Sequence, residues 1–523
     1  MPKRQITNLA LCLAVIPLLG WWLTGLFDLD EGFYAAVVAE MNRRGEWITP
    51  FYNGKPWFEK PILAYWLAKP ALMLFGDSIG PRLPSVLCTV GTYLLIAGYL
   101  RRRVSENAAA WSVLILGSSL IFVAVGRMMM TDMPLVLAFT GAMLSFWESL
   151  VGDRRWRILT AALLGVGVLA KGPVALILFV PIAGWTYWKQ PNLRPAFKGY
   201  WLAGTAVLAA VIATWYIPVY MANGQLFVQK FLIEQNIGRF TGGDAAHSIK
   251  GAWTIILYIP VLLVGMMPWS GWIWKAWPSR SLSPQRLGRK GQGKEGLEAV
   301  GVATLGETES ANVGAHSEEA SFTRYLAAWA AIIFIFFSVS SAKLPHYVLP
   351  VFAPVAMLLG IHFAQKKPLG SARQMAFPIA WTLFIAILAN AGILWWYQQS
   401  GQSEAHMFAR YIRDNSIHKV ERSVAVFQVP KKEGRLSAGT LKLQETSLPS
   451  MLLYLDATVN EADTPEEVVE GKSHWLFTRK GRITDQIRAD FVRLGKPLQP
   501  IGPTGDNFEV YEVGSLVDTS PVR

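Results

Sequence analysis

The sequence predicts an all-α polytopic membrane protein of about eleven transmembrane helices, with a small C-terminal α/β domain on the extracytoplasmic side. Three observations carry that prediction. Charge is scarce: 16% of the 523 residues are charged and 52% are hydrophobic, against about 25% charged in an ordinary soluble protein. Apolar runs of spanning length recur from the N-terminus to about residue 397. Beyond residue 400 the composition turns ordinary, and short strand-like runs alternate with helical ones. The same balance excludes a disordered chain, a disulfide scaffold and a soluble enzyme, which needs far more polar surface to cover a core of this size. Cys12 and Cys88 both lie in apolar runs and support no cysteine metal cluster.

The first apolar run, Ile6 to Phe27, follows Lys3 and Arg4. No small-residue cleavage site follows it, so it reads as an uncleaved spanning helix. Further spans fall at 82–100, 107–125, 133–150, 200–221, 252–277, 323–340, 346–364 and 375–397. Between Ile158 and Trp188, Lys171-Gly172-Pro173 divides two runs, each shorter than the roughly 17 residues of a straight span. They read as a short helix pair whose tip is shielded by protein. Residues 1–397 form the membrane part and 398–523 the tail domain. In the tail, strand-like runs are Val424–Val429, Met451–Leu455, Trp475–Thr478 and Phe508–Val513, and helical ones are 402–415 and 482–495. Thr464-Pro465-Glu466-Glu467 opens a helix with a cap and Pro at its first position.

The net charge of +13 would suggest nucleic acid in a soluble protein. With the N-terminus inside, the basic clusters instead fall on one side, as the positive-inside rule requires. They are Arg101–Arg103, then Arg154, Arg155 and Arg157, then Lys189, Arg194 and Lys198, then Arg280 to Lys294, then Lys366, Lys367 and Arg373. No nucleic-acid partner is therefore expected. The segments 28–81, 223–251 and Ser340 to His346 come together on the outer face, joined by tips at Arg127–Asp132 and Lys171–Pro173. The stretch 278–322, rich in Gly, Ser and Glu, reads as a flexible cytoplasmic loop.

Chemistry concentrates in the outer segments. Asp28, Asp30 and Glu31 precede a helical pattern. Asp30 caps that helix, or serves as a general base or charge stabiliser at the edge of an apolar cavity. One acid can do both. Asn53-Gly54 marks a turn, and Ile62 to Phe75 suits a helix lying in the membrane interface. Glu59 and Lys60 are either a mutual ion pair of small worth or hold a cation where an anionic lipid headgroup arrives. Arg239 binds a phosphate bidentately or pairs with Glu234 or Asp244. His247 stands alone, without the spacing of a metal site. Lys343 and Tyr347 offer another cation and an aromatic, or anchor the loop at the interface. Together these place several cations and acids on one face, a site for a phosphorylated lipid with a polar group to be moved.

The segments resemble a family. Asp30-Glu31 with Tyr34, Ala39-Glu40-Met41, Gly45-Glu46-Trp47-Ile48-Thr49-Pro50 and Glu59-Lys60-Pro61 are similar to bacterial aminoarabinose-transferase-like and protein-mannosyltransferase-like glycosyltransferases of the GT-C type. The resemblance continues through Arg127, Thr131-Asp132, Ala170-Lys171-Gly172, Glu234 with Asn236, Arg239-Phe240, Pro268-Trp269, Ser341-Ala342-Lys343-Leu344, Tyr347 and Pro350. It covers about residues 6–365; the tail contributes nothing to it. Two positions depart: Phe33 stands where Arg is frequent, and Gln235 where a Glu-His pair is common.

The resemblance implies a polytopic transferase of the bacterial inner membrane that takes a sugar from a polyprenyl-phosphate donor, undecaprenyl phosphate being the bacterial carrier, and passes it to lipid A or another lipid or cell-envelope acceptor, with inversion. Asp30 is the leading catalytic base, Asp132 the second, and Glu59 positions Lys60 or the acceptor. Lys60, Arg239, Lys343 and Arg127 bind the donor phosphate. Glu31, Tyr34, Tyr347, Glu234 and Asn236 line the sugar or acceptor pocket. No cofactor is required, although a divalent cation near His247 is left open. A carrier of lipid-linked sugars is the alternative; it predicts ionisable groups at mid-span and two similar halves, neither of which the sequence displays.

Overall fold

The computed structural model describes residues 3–28, 30–238, 256–278, 302–340, 343–369, 371–416, 423–429, 448–502 and 505–514. Helix α1 (Lys3–Val15) and a 3-10 turn (Ile16–Leu18) use only the first part of the expected opening span. Pro17 and Gly20, whose φ is +82°, stop the helix, and the chain reaches Phe27 without regular structure. Helix α2 (Asp30–Arg44) follows. A short hairpin, β1 (Phe51–Tyr52) and β2 (Lys55–Pro56), turns at Asn53-Gly54, both at positive φ, as a tight hairpin demands. Then come α3 (Leu63–Ile79), α4 (Leu83–Arg103), and the pair α5 (Glu106–Gly117) and α6 (Leu120–Gly126). That pair, expected as one span, bends by 71°. Ser118 and Ser119 sit at the break and donate to the Leu114 and Ile115 carbonyls, which occupies groups the bend would strand.

Helix α7 (Asp132–Val151) leads to α8 (Trp156–Lys171) and α9 (Val174–Lys189), the expected broken pair, turning at Gly172 with φ +80°. Helix α10 (Trp201–Phe227) continues as a π-helical stretch, Val228–Gly238. The run 252–277 is not one span. Its described part holds α11 (Tyr258–Gly265) and short turns at Trp269–Trp272 and Ile273–Ala276, interrupted at Pro268. Helix α12 (Val302–Val339) begins well inside the stretch read as a flexible loop; residues 279–301 of that stretch lie outside the described residues. Helices α13 (Phe352–Lys366) and α14 (Ala372–Gln399) complete the membrane part, the latter opened by a Ser371–Gln374 capping box.

Six helices among the described residues are long and apolar enough to cross a membrane, or seven if the bent pair counts as one span. Length and apolarity therefore stop short of the expected eleven: α1 and α9 are apolar but short, and 252–277 is broken. Helix α5 packs against α1, α4 and α13, and α8 against α7 and α10. Small residues permit the closest approaches. A Cβ on Gly117 would lie 2.3 Å from that of Ala14, and one on Gly360 would lie 2.0 Å from Ser112 Oγ.

After α15 (Gln402–Asn415) the chain builds a five-stranded mixed sheet from β3 (Val424–Phe427), β4 (Val459–Ala462), β5 (Trp475–Arg479), β6 (Leu498–Pro500) and β7 (Phe508–Val513), ordered β4-β3-β5-β7-β6. Between strands lie α16 (Met451–Leu455), α17 (Pro465–Glu470) and α18 (Asp485–Arg493). Met451–Leu455, read as a strand, is a buried helical turn; a five-residue apolar run carries no periodicity to separate the two. The expected helix start at Thr464 is a capping box with Glu467.

This C-terminal unit is clamped to the segment carrying α2. Leu26 N donates to Tyr454 Oη at 2.8 Å, Ser450 N to Asp28 Oδ1 at 2.8 Å, and Val459 N to Asn53 Oδ1 at 2.9 Å. Arg410 and Arg413 reach Asp77, at 3.6 and 3.4 Å.

Candidate active site

The first turn of α2 carries two adjacent acids with separate surroundings. Asp30 is partly exposed, and Tyr34 one turn later donates to it at 3.5 Å. Glu31 is wholly buried: Arg82 binds both its oxygens, at 2.7 and 2.8 Å, and Met129 N and Phe27 N each donate to it at 2.8 Å. The rest of the Arg82 guanidinium is taken by the carbonyls of Trp21, Thr24 and Gly25. Glu31 is therefore a structural hub and does not face a sugar pocket.

The hairpin at Asn53-Gly54 brings the chain back to Glu59 and Lys60, which pair at 3.0 Å with little exposure on either side chain. Asp132 begins α7, and the Lys171 ammonium at the end of α8 is ion-paired with its Oδ1. Lys171 also lies 4.5 Å over the Tyr347 ring, and His346 Nε2 stands 3.9 Å from Asp132 Oδ2. Asp30, Lys60, Asp132 and Lys171 all act electrostatically on His346. Tyr34 lies among the same acids, and burial, with Asp30 and then Glu59 beside it, holds its phenol well above the usual range. Asp30, Tyr34, Glu59, Lys60, Asp132 and Tyr347, from four separate stretches of chain, thus converge.

Other expected members do not join them. Lys343 is buried and donates to the Phe337 and Ser338 carbonyls, capping α12. Arg127 turns inward to Pro17 O, at 3.3 Å, and Asn390 Oδ1, at 2.8 Å. Glu234 pairs with Lys230 on an exposed face. The Asn236 side chain, Arg239 and His247 lie outside the described residues. Among the described residues no group of three His, Cys, Asp or Glu side chains suits a metal ion.

The sequence reading underweighted Lys171 and His346. Its signal for Lys171 was available: an ionisable residue at the tip of an apolar helix pair. Next to the site, Tyr65 Oη and Thr131 Oγ1 are buried with no hydrogen-bond partner among the described residues. Tyr65 packs 6.2 Å from Tyr34, ring to ring.

Comparison with known proteins follows the same lines. The family model described as dolichyl-phosphate-mannose-protein mannosyltransferase matches residues 59–217. The undecaprenyl phosphate-alpha-4-amino-4-deoxy-L-arabinose arabinosyl transferase of Edwardsiella ictaluri is 32% identical over 344 residues, 64% of this chain and 55% of that protein. The protein of the same name from Pseudomonas aeruginosa PAO1 is 29% identical over 380 residues, 71% of this chain and 61% of that one. The chain thus matches less than two thirds of the length of these relatives. Among solved structures, ArnT from Cupriavidus metallidurans bound to undecaprenyl phosphate aligns over 98% of both chains with a TM-score of 0.69 at 16% identity, and its apo state with 0.67. These matches are to transferases and lend nothing to the carrier alternative. The resemblance drawn from the motifs is borne out: by sequence and by fold, the chain is related to the aminoarabinose-transferase-like and protein-mannosyltransferase-like GT-C glycosyltransferases.

Proposed function

We propose that the chain is an integral membrane glycosyltransferase that moves a sugar from a polyprenyl-phosphate donor to a lipid or other envelope acceptor, with inversion. The observation that carries this reading is the meeting of Lys60 and Lys171 with Asp30 and Asp132 at one end of an apolar helix bundle. Breaking the bond between the anomeric carbon and the phosphate leaves negative charge on the phosphate and positive character on the sugar. Preorganised ammonium groups stabilise the first, and a carboxylate stabilises the second. Lys60 is placed to take the phosphate by exchanging Glu59 for it. Asp30, partly exposed, faces the sugar, and Tyr34 and Tyr347 wall the pocket. Lys171 fixes Asp132. Arg239 is a further phosphate ligand by resemblance. Protein cations serve the leaving group, so no cofactor is needed in this reading.

In the topology that accompanies this reading, the short helices α1, α8 and α9 and the broken run through Tyr258 to Ala276 complete an arrangement of about eleven spans. The N-terminus and basic loops are cytoplasmic, and the site and C-terminal unit are periplasmic.

The test is reconstitution with radiolabelled polyprenyl-phosphate sugars and an envelope lipid extract. Wild-type protein transfers label and releases polyprenyl phosphate. Asp30→Asn loses transfer by about a hundredfold or more while still binding donor. Movement of the donor across the bilayer with no release of polyprenyl phosphate overturns the reading.

A further inference from the structure

We propose that His346 is the general base of the transfer, and that the acceptor is accordingly a hydroxyl group; this rests on the transferase reading above. The other candidate bases are engaged. Lys171 holds Asp132, Lys60 holds Glu59, and Asp30 accepts from Tyr34. The His346 imidazole, with 16% of its side chain exposed, stays reachable from the site. Its Nε2 faces the Asp132 carboxylate at 3.9 Å, which leaves Nδ1 to take a proton. At that distance the carboxylate makes no hydrogen bond and acts by its charge, stabilising the imidazolium that forms as Nδ1 takes the proton.

The charged groups around it are Asp132 at the start of α7, Lys171 at the end of α8, Asp30 on α2 and Lys60 after the hairpin. Tyr347 lies edge-on, 5.0 Å away ring to ring.

In the step, the acceptor O–H gives its proton to Nδ1 as its oxygen bonds to the anomeric carbon. The bond from that carbon to the phosphate oxygen breaks, and its electron pair leaves with the polyprenyl phosphate beside Lys60. The imidazolium then returns its proton to water. A phosphate acceptor is already anionic at neutral pH and needs no base. A base at this position therefore selects a hydroxyl.

The test uses the full chain in proteoliposomes, with radiolabelled polyprenyl-phosphate pentose and hexose as donors and envelope lipid extract as acceptor. His346→Ala should lower kcat by about 10²-fold or more with donor KM changed less than threefold. It should also abolish the acidic limb of the kcat–pH profile and regain turnover with added imidazole. The wild-type product should be an acid-stable glycoside. His346→Gln, with donor binding and thermal midpoint measured alongside, separates the role from folding. Wild-type kcat and an unchanged acidic limb in both variants overturn the inference, as does an acid-labile glycosyl phosphate product. Lost activity without imidazole rescue, accompanied by lost donor binding, overturns it too. A wild-type protein that transfers nothing overturns the transferase reading itself.

Discussion

Asp30 and Glu31 are consecutive, alike in chemistry, and opposite in duty, because one helix residue subtends a third of a turn. Glu31 points into the bundle and neutralises Arg82; Asp30 stays partly exposed and accepts from Tyr34. Removing one partner of a buried pair costs about 3–5 kcal/mol, since the other charge is left stranded. Glu31→Ala should therefore lower the thermal midpoint sharply in detergent, whereas Asp30→Asn should hardly move it. Lys60→Ala should weaken polyprenyl-phosphate binding by about tenfold or more, read by titration; unchanged affinity removes Lys60 from the phosphate site. Asp28 offers a pH test. Burial raises its carboxyl to about 7, against the opposing bonds from Ser450. A raised folded pKa means stability that is full below the unfolded value near 4 and is lost as pH rises to about 7. Asp28→Asn should thus gain on the order of a few kcal/mol over wild type at pH 8 and much less at pH 5, measured as thermal midpoints at both. None of these divisions was legible in the sequence. Glu31 finds its partner 51 residues away, and only packing shows that Lys343 is spent on helix carbonyls. What the sequence did reveal was the convergence of Asp30, Lys60 and Asp132, because each sits at an end of an apolar run, where chemistry can meet the membrane surface.

Long apolar runs were readable as helices, and α4, α7, α10, α13 and α14 stand close to their expected positions. Hydropathy does not register where a run breaks, since serine, glycine and proline within it change the average little. The stops at Pro17, Ser118-Ser119 and Pro268 therefore came only with the fold. In the tail, the two edge strands β4 and β6 were missed because Val459–Ala462 and Leu498–Pro500 carry few apolar residues. Helix contacts make a prediction at this scale. Gly360 on α13 meets Ser112 of α5 with no room for a methyl group. Gly360→Ala should cost about 1–3 kcal/mol by overpacking, seen as a lower thermal midpoint, with donor affinity retained.

At the scale of the molecule, the excess of positive charge separates into basic clusters at one set of loops and a few cations at the other. In the proposed orientation, cysteines introduced at Asp463 and at Arg155, in a background lacking Cys12 and Cys88, should differ in reactivity. A membrane-impermeant maleimide added to intact spheroplasts should label the first and spare the second. The reverse pattern inverts the topology and places the site on the cytoplasmic side.

The clamp between the C-terminal unit and the first turn of α2 also sets an order of events in biogenesis. Leu26 and Asp28 take partners 428 and 422 residues further along, at Tyr454 and Ser450, and Asn53 takes one 406 residues on. A nascent chain that has already inserted every spanning helix still lacks these partners. The loop that presents Asp30 and Lys60 is finished only when the last quarter of the protein has been made, delivered to the same side and folded. Assembly of the tail is thereby a checkpoint on assembly of the proposed site, and prematurely terminated chains would sit in the membrane without a completed first outer loop.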